Sequence, residues 1–126
     1  MFVTRGIGID LVRVRRIGRL SDRWGERFLS RIYTPEELRY CLSRRNTSQH
    51  LAGRFAVKES VFKAVGHKLP WKSVNVGSGE EGAPCVSFGK RLAPDLTQEN
   101  NRVLVSISHT SEYAVGMAVY QVREGQ

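Results

Sequence analysis

A chain of 126 residues, 40% of them hydrophobic, can bury a core of its own without covalent staples; its two cysteines, Cys41 and Cys85, share no metal-type spacing and suit free thiols in a reducing compartment. No apolar run reaches membrane-spanning length and the start lacks a signal-peptide pattern, so the expectation is one soluble, cytoplasmic domain over 1–126 with no membrane partner. Twenty basic residues against twelve acidic ones leave a net charge of +8, which calls for an acidic partner.

The first predicted element is a strand in "FVTRGIGIDL", where Ile7, Ile9 and Leu11 share one face and Gly6, Gly8 and Asp10 share the other. Ahead of Asp10 the glycine face has no side chains, so another backbone or a ligand can come close. Helical spacing follows in "VRVRRIGRL" and "RWGERFLSRIY". Between Leu11 and Arg45 lie ten arginines, no lysine and four acids, which concentrates the positive charge in this segment. Such a face fits nucleic acid, an anionic membrane, an acidic protein or a phosphate-rich ligand, or is merely solvated.

"TPEEL" is a helix start, with Thr34 as N-cap, Pro35 at the first position and Glu37 closing a capping box. A long helix is expected from about Ser48 to Val65, stopping at Gly66. The rest is strand-rich: "WKSVNV" and "APCVSF" joined by "GSGEEG", then "RVLVSIS" and "YAVGMAVYQV" joined by "HTSE". Helices gather in the first half and antiparallel hairpins in the second, so the class is α+β.

The long helix misplaces its charges. Leu51, Phe55, Phe62 and Val65 form an apolar stripe, with Lys58 inside it and Glu59 on its edge. Buried charges are rare unless paired or liganded, because desolvation costs several kcal/mol, of order ~5. Glu59 and Lys63, four apart, fit a plain surface ion pair; Ala52 and Ala56 line the adjoining side and leave room beside the carboxylate. Read together with Asp10, the same residues suit a hard divalent cation bound to a phosphate substrate, since Mg²⁺ commonly takes one or two carboxylates and completes its shell with phosphate and water oxygens. "SISHT" ends a strand at a turn, with Ser106, Ser108 and Thr110 on one face and His109 at the corner; these residues fit phosphate binding or a polar hairpin corner. The chain has no phosphate-loop motif, no dinucleotide fingerprint and no zinc spacing.

In order, "GIGIDLVRVRRI", "FLSRIYTPEEL", "LAGRFAVKESVFKAVG", "GAP" and "VSISHTSEYAVGMAV" resemble the holo-acyl-carrier-protein synthases, the short single-domain 4′-phosphopantetheinyl transferases, over about Gly6 to Val119. The resemblance implies that family's fold, an antiparallel sheet packed around one long helix. It also implies Mg²⁺-dependent transfer of 4′-phosphopantetheine from coenzyme A to a serine of an acidic acyl carrier protein, with adenosine 3′,5′-bisphosphate released, in fatty acid or polyketide metabolism. By the same resemblance Asp10 and Glu59 are the metal ligands and Lys63 reaches the phosphates, so these three are the catalytic set. Arg45, Arg54, Lys63, Gly66, Ser108 and His109 meet the coenzyme, and Arg13 and Arg16 dock the carrier. Lys58 and Glu59 then interrupt the stripe because the helix walls the active site, and either Glu59 or His109 can serve as general base. After Gly66 the chain reads "HKLPW" where many relatives have "TG", which changes the coenzyme contacts around His67 and Lys68.

Two other classes compete. A basic RNA-binding module accounts for the charge but gives Asp10 and Glu59 no purpose. A Mg²⁺-dependent nuclease usually carries its acid two residues before its lysine on a strand, unlike Glu59 and Lys63; no nucleic-acid partner is expected. The family resemblance also implies a homotrimer with interfacial sites. The small face of the last strand, at Ala114, Gly116 and Ala118, can admit a neighbouring chain or this chain's own helix.

Overall fold

The computed structural model describes residues 1–124, apart from the side chain of Glu80. Its elements run β1 (Phe2–Arg13), α1 (Val14–Trp24), α2 (Glu26–Ile32), α3 (Pro35–Leu42), α4 (Thr47–Val65), β2 (Val74–Ser78), β3 (Pro84–Phe88), β4 (Asn101–His109) and β5 (Tyr113–Arg123), with short 3-10 turns between some of them. The class is α+β, with the α-helices before the second hairpin begins.

β1, β5 and β4 form an antiparallel sheet in that order, and β2 pairs with β3 as a separate hairpin. α4 lies against the sheet along Gly53, Ala56, Ser60 and Ala64. Contact is backbone to backbone: a Cβ at Gly6 would stand 1.8 Å from the Ala64 carbonyl oxygen, and one at Gly8 1.8 Å from that of Ser60. Gly116 on β5 meets the Ala56 backbone in the same way. The glycine face of β1 is therefore filled by this chain's own helix. Ala114 and Ala118 are fully buried on that same side, so the small face of β5 does not admit a neighbouring chain.

The opposite side of the sheet is open. Ile7, Ile9 and Leu11 are 64, 60 and 63% exposed, with Met117 and Leu104 beside them. Alternation along β1 forces this outcome: once the glycines face the helix, the large apolar residues must face away.

Short-range signals shape the helices. Thr34 accepts from the Glu37 N–H at 3.2 Å and Glu37 accepts from the Thr34 N–H at 2.8 Å, so the capping box closes as the sequence indicates, with Pro35 in the first turn. α4 ends at Gly66 in the left-handed region, φ 92°, its N–H donating to the Phe62 carbonyl at 2.9 Å. Gly25, at φ 53°, breaks the arginine-rich segment into α1 and α2. Beyond α4, Trp71 packs on Phe55 and Phe62 of that helix at 5.1 Å each, fastening the chain that leads into β2. No helix among the described residues is long and apolar enough to cross a membrane.

Candidate active site

Two groups of functional side chains sit on opposite flanks of α4. At 100° per residue, Glu59 and Lys63 lie about 40° apart, whereas Arg54 is about 140° and His50 about 180° from Glu59. The sheet order agrees: β1, at one edge, carries Asp10, and β4, at the other, carries His109.

On the β1 flank, the glycine approach brings Asp10 to the helix. Lys63 donates to the Ile9 carbonyl at 2.9 Å and to Asp10 Oδ1 at 3.3 Å. Lys63 is half exposed and Asp10 largely covered. Lys63 thus pairs with Asp10, and Glu59, half-buried one turn before it, forms no ion pair or hydrogen bond among the described residues. The simple Glu59–Lys63 bridge is not made. No third His, Cys, Asp or Glu completes a metal cage among the described residues. Ala52 and Ala56 are fully buried, Ala56 against Gly116, so they leave no room for a ligand, contrary to the sequence reading.

Lys58 departs further from expectation. It is fully buried on the side of α4 turned from the sheet, and its ammonium meets Glu37 Oε1 at 2.9 Å, the Trp71 carbonyl at 3.0 Å and the Val74 carbonyl at 2.5 Å. Burial pulls the Lys58 pKa below the usual lysine range, while Glu37 pulls it back. It is a core residue and no wall of the active site; three oxygens around its head explain how a charge survives in the apolar stripe.

On the β4 flank, α4, α3, the β2–β3 hairpin and the end of β4 enclose a cavity of about 200 Å³ lined by Tyr40, His50, Arg54, Gly77, Pro84 and His109 among others. Gly53 has no Cβ here for a reason: one would stand 3.2 Å from Ile107. The rings of His50 and His109 meet edge-on at 6.0 Å, and those of His50 and Tyr40 at 5.5 Å. The guanidiniums of Arg54 and Arg44 lie over the Tyr40 ring at 4.1 and 4.3 Å. Burial, then Arg54, His109 and Arg44, hold the His50 pKa below its ordinary value. Arg54 is buried, and its Nε has no hydrogen-bond partner among the described residues. Arg54 lines the cavity with its guanidinium stacked on Tyr40, and this cation favours an anion there.

Of the residues singled out in the sequence, Arg54 and His109 meet in this cavity. Ser108 faces the other side of β4 with Ser106 and Leu104, Arg45 is exposed in the turn before α4, and Gly66 caps the far end of that helix. Tyr40 and His50 were not singled out. His50 precedes Arg54 by one helical turn, a signal that could have marked it; Tyr40 arrives through tertiary packing alone.

The arginine-rich face has a shape of its own. Arg13, Arg16 and Arg19 border a groove of about 300 Å³ that continues past Leu20 and Trp24 into a second of about 400 Å³ over Phe28. Arg23 and Arg27 lie over the Trp24 ring at 5.0 and 5.7 Å. Leu20, Trp24 and Phe28 stand four residues apart, a spacing that could have marked this strip, and Gly25 bends it between two helices.

Residues 6–118 match the 4′-phosphopantetheinyl transferase superfamily. A holo-[acyl-carrier-protein] synthase of Halothermothrix orenii is 44% identical over 120 residues, covering 91% of this chain and 95% of its own length. The crystal structure of holo-[acyl-carrier-protein] synthase from Neisseria meningitidis is similar at a TM-score of 0.85 and 32% identity, over 94% of this chain and 98% of that one. That of the Helicobacter pylori synthase, in complex with coenzyme A, is similar at 0.78 and 27% identity, over 90% and 98%. With motifs, fold and nearly full-length similarity agreeing, the chain belongs to the 4′-phosphopantetheinyl transferase superfamily, among its short holo-[acyl-carrier-protein] synthases.

Proposed function

We propose that this chain transfers 4′-phosphopantetheine from coenzyme A to a serine of an apo-acyl carrier protein in a Mg²⁺-dependent reaction that releases adenosine 3′,5′-bisphosphate. The observation that carries the reading is the Asp10–Lys63 contact at the foot of the glycine-faced strand, with Glu59 one helical turn before Lys63 on α4. Asp10 and Glu59 fit a hard cation: Lys63 engages one oxygen of Asp10, no described hydrogen bond engages the other, and two carboxylates are the usual protein share of a Mg²⁺ site. When bound there, Mg²⁺ would supply Lewis-acid stabilisation of charge on the diphosphate.

The chain's own residues do the rest. Lys63, half exposed, can follow the phosphate and offset negative charge as the bond breaks. Arg54 and His109, which line one cavity, meet the nucleotide end of coenzyme A. The serine oxygen of the carrier attacks the phosphorus that bears pantetheine and gives its proton to a general base, Glu59 or His109. The bond from that phosphorus to the bridging oxygen breaks, and that oxygen leaves on adenosine 3′,5′-bisphosphate. Incubating the protein with coenzyme A, Mg²⁺ and apo-carrier, then measuring intact mass, tests this. A serine-linked gain of one phosphopantetheine is expected, and no gain with any apo-carrier would refute the reading.

The opposed half-sites also support a homotrimer in which a neighbour supplies the nucleotide pocket. A ligand touching both flanks of one chain would have to wrap around α4, whereas two copies can face their different flanks toward each other. The open apolar face of Ile7, Ile9, Leu11 and Met117 offers the contact, since such patches mark association surfaces. Ile9→Glu should yield a monomer by light scattering, with little transfer activity. Mixing Glu59→Ala and His109→Ala chains under subunit exchange should recover activity if sites are shared, His109→Ala alone being inactive. A fully active wild-type monomer at assay concentration would sink the idea.

The basic groove suits an acidic carrier. Arg16→Glu should raise KM for the carrier about three- to tenfold and leave KM for coenzyme A nearly unchanged, with rates falling as salt shortens the Debye length below its ~8 Å at physiological ionic strength. Equal effects on both substrates would count against docking there. The cytoplasm, where coenzyme A and carrier proteins are at hand, is the proposed location, and fatty acid synthesis the proposed pathway.

A further inference from the structure

The Glu37–Lys58 pair lies outside both half-sites, yet its bonds run to one of the pocket's walls. Glu37 Oε2 accepts from the Val76 N–H at 2.6 Å, and Lys58 donates to the Val74 carbonyl at 2.5 Å. These are backbone groups of β2, whose other edge pairs with β3. The ion pair therefore occupies the unpaired edge of β2 as a neighbouring strand would, carboxylate on the donor and ammonium on the acceptor. Asn75, between them, is held as well: its Nδ2 donates to Glu36 Oε2 at 2.6 Å and its Oδ1 accepts from the Thr34 hydroxyl at 2.5 Å.

Directly after this clamped segment come Gly77 and Ser78, which line the cavity together with Arg54 and Tyr40. Arg54 stands one turn before Lys58 on α4, and Tyr40 one turn after Glu37 on α3. The three walls thus grow from the three elements that the ion pair joins. Stability alone explains the pair poorly. Two desolvated charges are commonly matched or bettered by apolar residues of similar volume, whereas apolar residues cannot hold an N–H and a C=O in register.

We propose that Glu37 and Lys58 are positioning residues for the nucleotide end of the coenzyme pocket, fixing β2 against α3 and α4 and so setting the distance from Gly77–Ser78 to Arg54. The inference rests on the coenzyme reading of that cavity. Three proteins should be compared: wild type, Glu37→Gln, and the volume-matched double variant Glu37→Leu/Lys58→Met. The measurements are calorimetric binding of adenosine 3′,5′-bisphosphate, and KM and kcat at a temperature where each protein is folded by circular dichroism.

The double variant should bind the nucleotide about tenfold or more weakly and raise KM for coenzyme A in proportion, because misplacement by ~1 Å costs up to about a hundredfold. Its kcat and its KM for the carrier should stay within about threefold of wild type, a split that simple loss of folded protein would not produce. Should the double variant not fold, Glu37→Gln decides, since it keeps the shape and one acceptor oxygen; it should show the same split at smaller size. A folded variant that binds the nucleotide as tightly as wild type, or one that loses kcat with KM unchanged, overturns the positioning role. No nucleotide binding by wild type would instead overturn the coenzyme reading of the cavity, and the proposal with it.

Discussion

Asp10→Ala and Glu59→Ala should each lower transfer by at least ~10²–10³-fold while leaving the circular dichroism spectrum intact, the size of loss seen when one preorganised electrostatic contact is removed. Neither carboxylate holds the fold. Glu59 makes no hydrogen bond or ion pair among the described residues, and Asp10 meets only the half-exposed Lys63. Glu59→Gln should be nearly as inactive, because the amide keeps the shape and loses the charge that a divalent cation needs. Lys63→Ala should be impaired too, but through the phosphates: its requirement for Mg²⁺ should stay close to wild type, whereas Asp10→Ala should need far more. Full activity of either carboxylate variant at ordinary Mg²⁺ would remove the metal assignment and leave Lys63 and Asp10 as a structural ion pair.

Much of the fold was legible because its signals are local. Thr34, Pro35 and Glu37 define a helix start within four residues, and Gly66 ends α4 through its own backbone freedom. Asp10, Glu59 and Lys63 could be grouped from the sequence, since a carboxylate ending a glycine-faced strand and charges beside an apolar stripe call for a partner. The structure brings Lys63 to Asp10 and leaves Glu59 unpaired among the described residues. Lys58 called for a partner as well, but its partners lay elsewhere: Glu37 is 21 residues away, the Trp71 and Val74 carbonyls 13 and 16, and no helical period points to them. Glu37 carries two roles, cap and counterion, and only the local one can be read from spacing. The faces of the sheet mislead for a related reason. Periodicity separates Ile7, Ile9 and Leu11 from Gly6 and Gly8, yet burial of the small side follows from how closely α4 can approach, which is a tertiary fact. Ser108 and His109 are adjacent in sequence and point to opposite sides of β4, so only one of them reaches the cavity.

The glycine face links fold to chemistry, and Gly8→Ala should damage both. An added Cβ would stand 1.8 Å from the Ser60 carbonyl oxygen, 2.8 Å from its carbon and 2.9 Å from the Ala64 nitrogen. These are backbone atoms of a helix and cannot rotate aside, so β1 and α4 must separate. Overpacking of this kind costs typically ~1–3 kcal/mol, a fall in Tm of about 4–12 °C for a chain of this size. The larger effect should be on rate. Asp10 is two residues further along β1, on the same face, and Lys63 spans the seam to reach both it and the Ile9 carbonyl. A shift of ~1 Å in β1 opens that contact and misplaces Asp10 against Glu59, which can cost about a hundredfold in kcat. Gly79→Ala is the control, because the atoms nearest to its added Cβ, at 3.5 Å and beyond, are in ordinary contact range. It should keep both Tm and kcat. A Gly8→Ala protein that melts and turns over like wild type would show that β1 and α4 do not need backbone contact to hold Asp10 in place, and that the glycine-faced strand is not what builds this site.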